Sequence, residues 1–131
     1  MVWSEHRVPP RRSTFGSQVQ TLYHLTPAGA AIRSTGRMLP GSRGKVGGGI
    51  YFCHSLTDCS KKSTQGKGWK VTARVLVGRA KELHISQIST HDFTRLQREG
   101  FDSIRLIGLT CGVEYVVFNS DQVELIAVDV A

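Results

Sequence analysis

Long apolar runs are missing from this sequence of 131 residues. None approaches the roughly 20 residues that a helix needs to cross a bilayer. Residues 1–7 also lack the charged-then-apolar order of a signal peptide, and the chain contains no internal repeat or low-complexity tract. We therefore expect a monomeric globular protein inside the cell, in the cytoplasm or the nucleus, with no membrane partner.

Cysteine is scarce, since only Cys53, Cys59 and Cys111 are present. The count is odd and the spacing matches no common zinc motif, which argues against a metal site. A chain of this length can bury a sufficient core without disulfide bonds. We predict free thiols in a reducing compartment, with a contact between Cys53 and Cys59 on neighbouring turns as the alternative.

Acidic residues are outnumbered, because 10 Asp and Glu stand against 17 Lys and Arg and give a net charge of +7. Most of the positive charge lies in the first 70 residues. Such a face attracts a phosphate-bearing ligand or nucleic acid, but a merely solvated basic surface is an equal alternative. Aromatic residues are not interleaved with these charges, as a single-strand binder would require.

The order of apolar periodicity and turn residues predicts an α+β fold. Residues 1–17 are turn-rich and basic and predict a flexible leader, followed by one folded domain over 18–131. Helices are predicted to begin at Thr26-Pro27, Ser55 and Thr90, and the first should end at Gly36. Strands are predicted at 19–25, 50–53, 70–77, 101–107, 113–118 and 123–128. Short turns separate the last three strands, which favours antiparallel pairing.

Three consecutive glycines, Gly47, Gly48 and Gly49, lead directly into the apolar run Ile50-Tyr51-Phe52. A glycine loses more backbone freedom on folding than any other residue. Such a run is therefore expected where the backbone takes a positive φ or where a ligand approaches closely. Both explanations are open for this segment.

Three polar residues, His24, Tyr51 and Glu114, lie in strand-like apolar segments. Glu114 is the strongest candidate for function, because an unpaired carboxylate among valines would carry a large desolvation penalty. The alternatives are a satisfied core histidine, a core tyrosine and a glutamate that pairs with a nearby arginine. Together the three residues form a candidate site.

The order of these residues resembles the catalytic domain of the poly(ADP-ribose) polymerase family, the diphtheria-toxin-like ADP-ribosyltransferases with a His-Tyr-Glu triad. Leu22-Tyr23-His24-Leu25-Thr26 is similar to the family's first motif, and Gly48-Gly49-Ile50-Tyr51-Phe52 to its Gly-x-Gly-Ile-Tyr-Phe. The segment 114–123 is similar to its last motif, and the likeness runs in order over about residues 20–128. The resemblance implies two packed, mainly antiparallel sheets that form a split β core with a few short flanking helices.

The resemblance also implies an NAD⁺-dependent mono-ADP-ribosyltransferase with catalytic residues His24, Tyr51 and Glu114. Cleavage of the nicotinamide–ribose bond of NAD⁺, the substrate, builds positive charge on the ribose, and Glu114 would stabilise that charge. His24 would bind the adenosine ribose, and Tyr51 would pack against the cationic nicotinamide. The acceptor would be a protein side chain or a nucleic acid.

Further contacts to NAD⁺ are implied at Leu25, Gly49, Arg43, Lys45 and Ser60. Leu25 stands where the family has glycine, and its backbone would meet the nicotinamide amide. The basic loop from Arg37 to Lys45 would bring Arg43 or Lys45 to the pyrophosphate, and Ser60 would bind the carboxamide.

Two other departures from the family pattern bear on function. Lys62 stands where the family has a second stacking tyrosine. The short loop at 108–112 leaves no room for a long acceptor loop, which favours transfer of a single unit. The alternative function is a non-catalytic module on the same fold that binds NAD⁺, ADP-ribose or nucleic acid.

Overall fold

The computed structural model describes residues 18–55, 57 and 68–130. The predicted leader lies outside the described residues, as does nearly all of the helix predicted from Ser55. The helices are α1 (Gly29–Thr35) and α2 (Phe93–Arg98). The strands are β1 (Val19–Thr26), β2 (Ile50–Cys53), β3 (Trp69–Leu76), β4 (Ala80–His84), β5 (Ser103–Leu109), β6 (Gly112–Val117) and β7 (Val123–Val130).

The described strands form one seven-stranded sheet in the order β4-β5-β6-β2-β1-β3-β7. Every neighbouring pair is antiparallel except β4 and β5, so the predicted α+β class with mainly antiparallel strands is confirmed. The prediction of two packed sheets is wrong. Strand β2 is the reason, because it pairs with β6 along its whole length and with β1 through Cys53 and Tyr23. It thereby joins two halves into a single sheet.

Two features of the sheet order were not predicted. Strand β4 carries Lys81, Glu82 and His84, a composition with little strand propensity, yet it pairs in parallel with β5. Helix α2 lies in the connection between them, as parallel pairing requires. Strands β5 and β6 pair antiparallel as predicted, but β7 lies at the far edge beside β3. The short turn after β6 therefore does not make a hairpin.

Side chains point alternately to the two faces of the sheet along each strand. The buried apolar residues therefore form two clusters, one on each face. Helix α1 packs on the larger cluster, and α2 contributes Leu96 to the smaller one. The larger cluster is Leu22, Met38, Ile50, Phe52, Val71, Ala73, Val75, Val77, Tyr115, Val117 and Val128. The smaller cluster is Val46, Leu96, Ile104, Leu106, Val116 and Phe118.

Residues at the helix ends determine where the two described helices begin or end. Gly36 ends α1 in the left-handed region, with φ of 73°, as predicted. The start of α1 is later than predicted: Thr26 Oγ1 accepts from the Ala28 N–H at 3.0 Å, so Pro27 precedes the helix instead of opening it. Asp92 caps α2 by accepting a hydrogen bond from the Arg95 N–H at 2.8 Å.

The cysteine prediction needs correction. Cys53 is disulfide-bonded, whereas Cys111 is free. The expectation of free thiols was wrong at Cys53, and it no longer supports a reducing compartment.

Among the described helices, none is both long and apolar enough to span a bilayer.

Candidate functional site

Tyr51 and Glu114 lie on the same face of the sheet, on neighbouring strands. Strands β2 and β6 pair with Cys53 opposite Glu114 and Tyr51 opposite Val116. Because side chains alternate along a strand, Tyr51, Cys53 and Glu114 all point to that face. Glu114 is only 1% exposed. The sheet thus buries a carboxylate one strand away from the tyrosine.

Lys45 neutralises this carboxylate. Its Nζ lies 3.3 Å from Glu114 Oε1 and 6.0 Å from the centre of the Tyr51 ring. A buried carboxylate without a partner would be costly, so the ion pair makes the burial of Glu114 tolerable. This lysine lies in the glycine-rich loop, residues 37–49 between α1 and β2, and the sequence did not indicate it as a partner of Glu114. Cys111 Sγ also approaches, at 4.0 Å from Glu114 Oε2.

The Tyr51 hydroxyl holds the glycine-rich loop. It donates to the Gly47 carbonyl at 2.7 Å and accepts from the Val46 N–H at 2.9 Å. Burial raises the pKa of Tyr51 above its ordinary value, the Val46 N–H lowers it and the negative charge of Glu114 raises it further. The hydroxyl is therefore protonated at neutral pH and can donate. This clamp fixes the backbone immediately after Lys45.

The three glycines are required by contacts within the protein. Gly47 has φ of 109°, and a Cβ there would lie 2.5 Å from the His91 carbonyl oxygen. A Cβ at Gly48 would lie 2.3 Å from the Gly41 carbonyl oxygen, and one at Gly49 would lie 2.7 Å from Val116 Cγ1. The glycine run therefore has a structural cause in the chain itself. Of the two explanations that the sequence left open, the positive φ is confirmed at Gly47 alone of the three.

His24 is joined to Tyr51 through the backbone. Its Nδ1 lies 2.8 Å from the Tyr51 carbonyl oxygen, which can only accept, so Nδ1 carries the proton. The pairing of Tyr23 with Cys53 puts His24 on the opposite face from the Tyr51 side chain. There its ring meets the Phe52 ring edge-on, with centroids 6.2 Å apart. The histidine thus contacts the tyrosine's backbone, not its ring.

An apolar cavity of about 580 Å³ opens beside these residues. It is lined by His24, Gly49 and Tyr51 and by residues of α1 and of the segment after it. Its volume lies within the range of about 300–1,000 Å³ that small-molecule sites occupy. The one charged side chain at its wall among the described residues, Arg37, also forms an ion pair with Asp121 at 3.7 Å.

The other predicted contact residues lie in different places. Leu25 is half-buried in β1 opposite Lys70 and is not part of the cavity wall. Arg43 is exposed in the loop, and Lys45 contacts Glu114 instead of the cavity. Ser60, like Lys62, lies outside the described residues.

No family model and no curated protein matches this chain.

The wall that α1 contributes to the cavity was missed from the sequence. Ala28, Ala31, Ile32 and Thr35 line it, and Met38 follows the helix. The spacing of three and four residues was available as a signal, because it places these side chains on one helix face. That pattern predicts a packed core equally well, since Ile32 also packs against the larger cluster.

Proposed function

We propose that this protein is an NAD⁺-dependent mono-ADP-ribosyltransferase. The observation that carries the proposal is that His24 and Tyr51 both line one apolar cavity, with the buried carboxylate of Glu114 on the strand that pairs with the strand of Tyr51. A carboxylate in such a setting is suited to stabilise positive charge that develops on a bound substrate.

The reaction would break the bond between nicotinamide and ribose. Positive charge develops on the ribose as this bond lengthens, as it does in glycoside hydrolysis. Glu114 would stabilise that charge and accept a hydrogen bond from a ribose hydroxyl, and the same carboxylate could receive the proton of the acceptor. Nicotinamide leaves as the neutral base, and ADP-ribose passes to the acceptor.

The cavity suits the rest of the dinucleotide. Its wall is largely apolar side chains of α1 with Ile50 and Met38, which fits a flat adenine ring. Arg37 at the wall supplies a positive charge for a pyrophosphate. His24 also lines the cavity, where it would bind the adenosine ribose. The positive net charge of +7 favours an anionic substrate or acceptor.

The ion pair between Lys45 and Glu114 favours a second candidate function. With Glu114 neutralised, the fold would serve as a non-catalytic module that binds NAD⁺ or ADP-ribose. Calorimetry with a non-hydrolysable NAD⁺ analogue, run beside a turnover assay, separates the two functions. Binding of the analogue without any turnover of NAD⁺ would favour the module.

The direct test is the release of nicotinamide from NAD⁺ by wild type and by Glu114→Gln. We expect the variant to lose at least about 100-fold in rate, the loss that follows removal of one stabilising group at a developing charge. Glu124→Gln on β7, which removes an exposed carboxylate paired with Arg74, is the matched control and should keep the wild-type rate. Full turnover by Glu114→Gln would refute the proposal.

A second assay identifies the acceptor. Labelled NAD⁺ is incubated with the protein and a panel of protein, RNA and DNA acceptors, and the products are analysed by mass spectrometry. Label on one class of macromolecule names the acceptor, whereas free ADP-ribose alone would show that water takes its place.

A further inference from the structure

One face of the sheet carries no apolar cluster over β1, β3 and β7. Val71, Ala73 and Val75 of β3 are fully buried in the larger cluster, so the residues between them point to the opposite face. The smaller cluster lies on that opposite face, and none of its members among the described residues comes from these three strands. Thr21 and Arg74 are exposed there. We call this surface the β1–β3 face, and its residues are Thr21, Tyr23, Leu25, Lys70, Thr72 and Arg74.

Tyr23 lies between two basic side chains on the β1–β3 face. It pairs with Thr72 of β3, and Lys70 and Arg74 stand two positions to either side of Thr72. Such diagonal neighbours lie about 7–8 Å apart, within reach of aromatic and long side chains. Tyr23 and Lys70 are half-buried, whereas the side chain of Arg74 is 54% exposed. The pairing of β1 with β3 therefore flanks an aromatic ring with two positive charges from a distant part of the sequence.

Acidic residues of β7 stand on the outer side of these positive charges. Glu124 pairs with Arg74, and their side chains lie 3.4 Å apart, while Asp129 pairs with Lys70 in the strand register. Arg74 and Glu124 are both exposed, so their ion pair contributes little and can open for another anion. Because β7 is the edge strand, its carboxylates would repel an anionic chain from the edge and favour a path over β1 and β3.

The β1–β3 face continues to Glu114 along one row of the sheet. Glu114 pairs with Cys53, and Cys53 pairs with Tyr23. Each of the three is next in the chain to a member of the larger cluster, so all three point to the other face. Neighbouring strands are about 4.8 Å apart, which separates the backbones of Tyr23 and Glu114 by about 10 Å. A linear ligand on Tyr23 would therefore extend to Glu114, where Lys45 adds a further positive charge.

We propose that the β1–β3 face binds single-stranded nucleic acid, with a base stacked on Tyr23 and the neighbouring phosphates held by Lys70 and Arg74. A single strand fits this face because its unpaired bases can stack on an aromatic side chain, whereas a duplex keeps its bases inside. Lysine and arginine bind phosphates of any sequence, so the face selects the form of the nucleic acid and not its sequence. That the bound strand is the acceptor of ADP-ribose rests on the proposed function, but its binding does not.

The test is a fluorescence anisotropy titration of the full chain in the absence of NAD⁺. The probes are labelled oligothymidine, labelled oligouridine, a DNA duplex of the same length and polyglutamate, each at several salt concentrations. The variants are Tyr23→Leu, Tyr23→Phe, Lys70→Gln and Arg74→Gln. Arg98→Gln is the matched control, because it removes an exposed arginine from α2, away from the β1–β3 face.

We expect the wild type to bind both oligonucleotides more tightly than the duplex or polyglutamate, and the tighter of the two identifies the preferred sugar. Tyr23→Leu should weaken binding about 5- to 150-fold, the loss of one stacked base, whereas Tyr23→Phe keeps the ring and should match the wild type. Lys70→Gln and Arg74→Gln should each make the slope of log K against log salt shallower by about 0.7, the value for one phosphate of a single strand. Arg98→Gln should leave the slope unchanged.

Several results would overturn the inference. Equal affinity for the duplex or polyglutamate would mean that the face only attracts negative charge, and an acidic protein would then be the better partner. Wild-type affinity in folded Tyr23→Leu, or wild-type salt slopes in both Lys70→Gln and Arg74→Gln, would place the binding elsewhere. The two charge variants keep the test valid if circular dichroism shows Tyr23→Leu to be unfolded. Failure of the proposed function is a separate result, because NAD⁺ turnover could be absent while oligonucleotide binding persists.

Discussion

The substitution Gly49→Ala tests whether the glycine run is required by packing within the protein. Gly49 is buried, and its φ is outside the left-handed region, so alanine introduces no backbone strain there. The cost is steric: the new Cβ would lie 2.7 Å from Val116 Cγ1 and 3.1 Å from both Phe118 Cε1 and the Val117 carbonyl oxygen. Val116 and Val117 are fully buried, so neither can move away easily.

The expected loss can be estimated from these contacts. An extra methyl group in a packed core costs about 1–3 kcal/mol in the free energy of unfolding. The entropy of unfolding is about 2.1 cal/mol/K per residue, which for a chain of 131 residues gives about 0.28 kcal/mol/K. Gly49→Ala should therefore lower Tm by about 4–11 °C in the absence of any ligand, measured by calorimetry or circular dichroism.

Gly41→Ala is the matched control for this experiment. Gly41 also lines the cavity, but a Cβ there would have its nearest neighbour at 3.7 Å, which is ordinary contact. Its Tm should stay within about 2 °C of the wild type, as for most surface substitutions. If Gly49→Ala also kept the wild-type Tm, the glycine would not be required by packing, and close approach of a ligand would again explain it.

Three further predictions concern the loop and α2. Asp92→Ala removes the side chain that caps α2 and should cost about 1 kcal/mol in urea denaturation. Tyr51→Phe removes the hydroxyl that joins Val46 and Gly47, and it should cost about 1–3 kcal/mol because the Val46 N–H loses its partner. Burial lowers the pKa of His91 below its ordinary 6.5, so the unfolded chain binds a proton that the folded protein excludes. Stability should therefore fall as the pH drops below about 6.5, and His91→Gln should reduce that slope in pH-dependent denaturation.

Each of these predictions has its own contrary outcome. Asp92→Asn keeps a capping oxygen and should retain most of the stability, so an equal loss in both variants would rule out the cap as the cause. Tyr51→Phe with wild-type stability would show that the loop does not depend on the hydroxyl. A pH slope unchanged in His91→Gln would remove His91 as its source.

Local patterns in the sequence predicted local structure well. The period of two over 70–77 gave a strand whose alternate residues Val71, Ala73 and Val75 are fully buried, because burial of one face is what produces that pattern. Gly36 ended α1 as expected because its left-handed conformation suits glycine. Strand β4 was missed because its polar residues carry no such period, and only its position beside β5 makes it a strand.

For the candidate site as well, the sequence predicted some features and missed others. The sequence identified His24, Tyr51 and Glu114 as polar residues in apolar strands, and Glu114 is indeed buried. It could not identify Lys45 as a partner of Glu114, because 69 residues separate them and no pattern links a loop lysine to a distant strand. The roles that the resemblance gives to these residues stay predictions.

What the sequence determined by itself is therefore most of the described elements, their buried faces and the polar residues among them, since these depend on neighbours a few positions apart. The tertiary structure decided which strands meet. It placed β7 beside β3, let the four residues of β2 join both halves into one sheet, and brought the glycine-rich loop against His91 and Val116. These outcomes depend on packing between segments far apart in the chain, which local spacing does not encode.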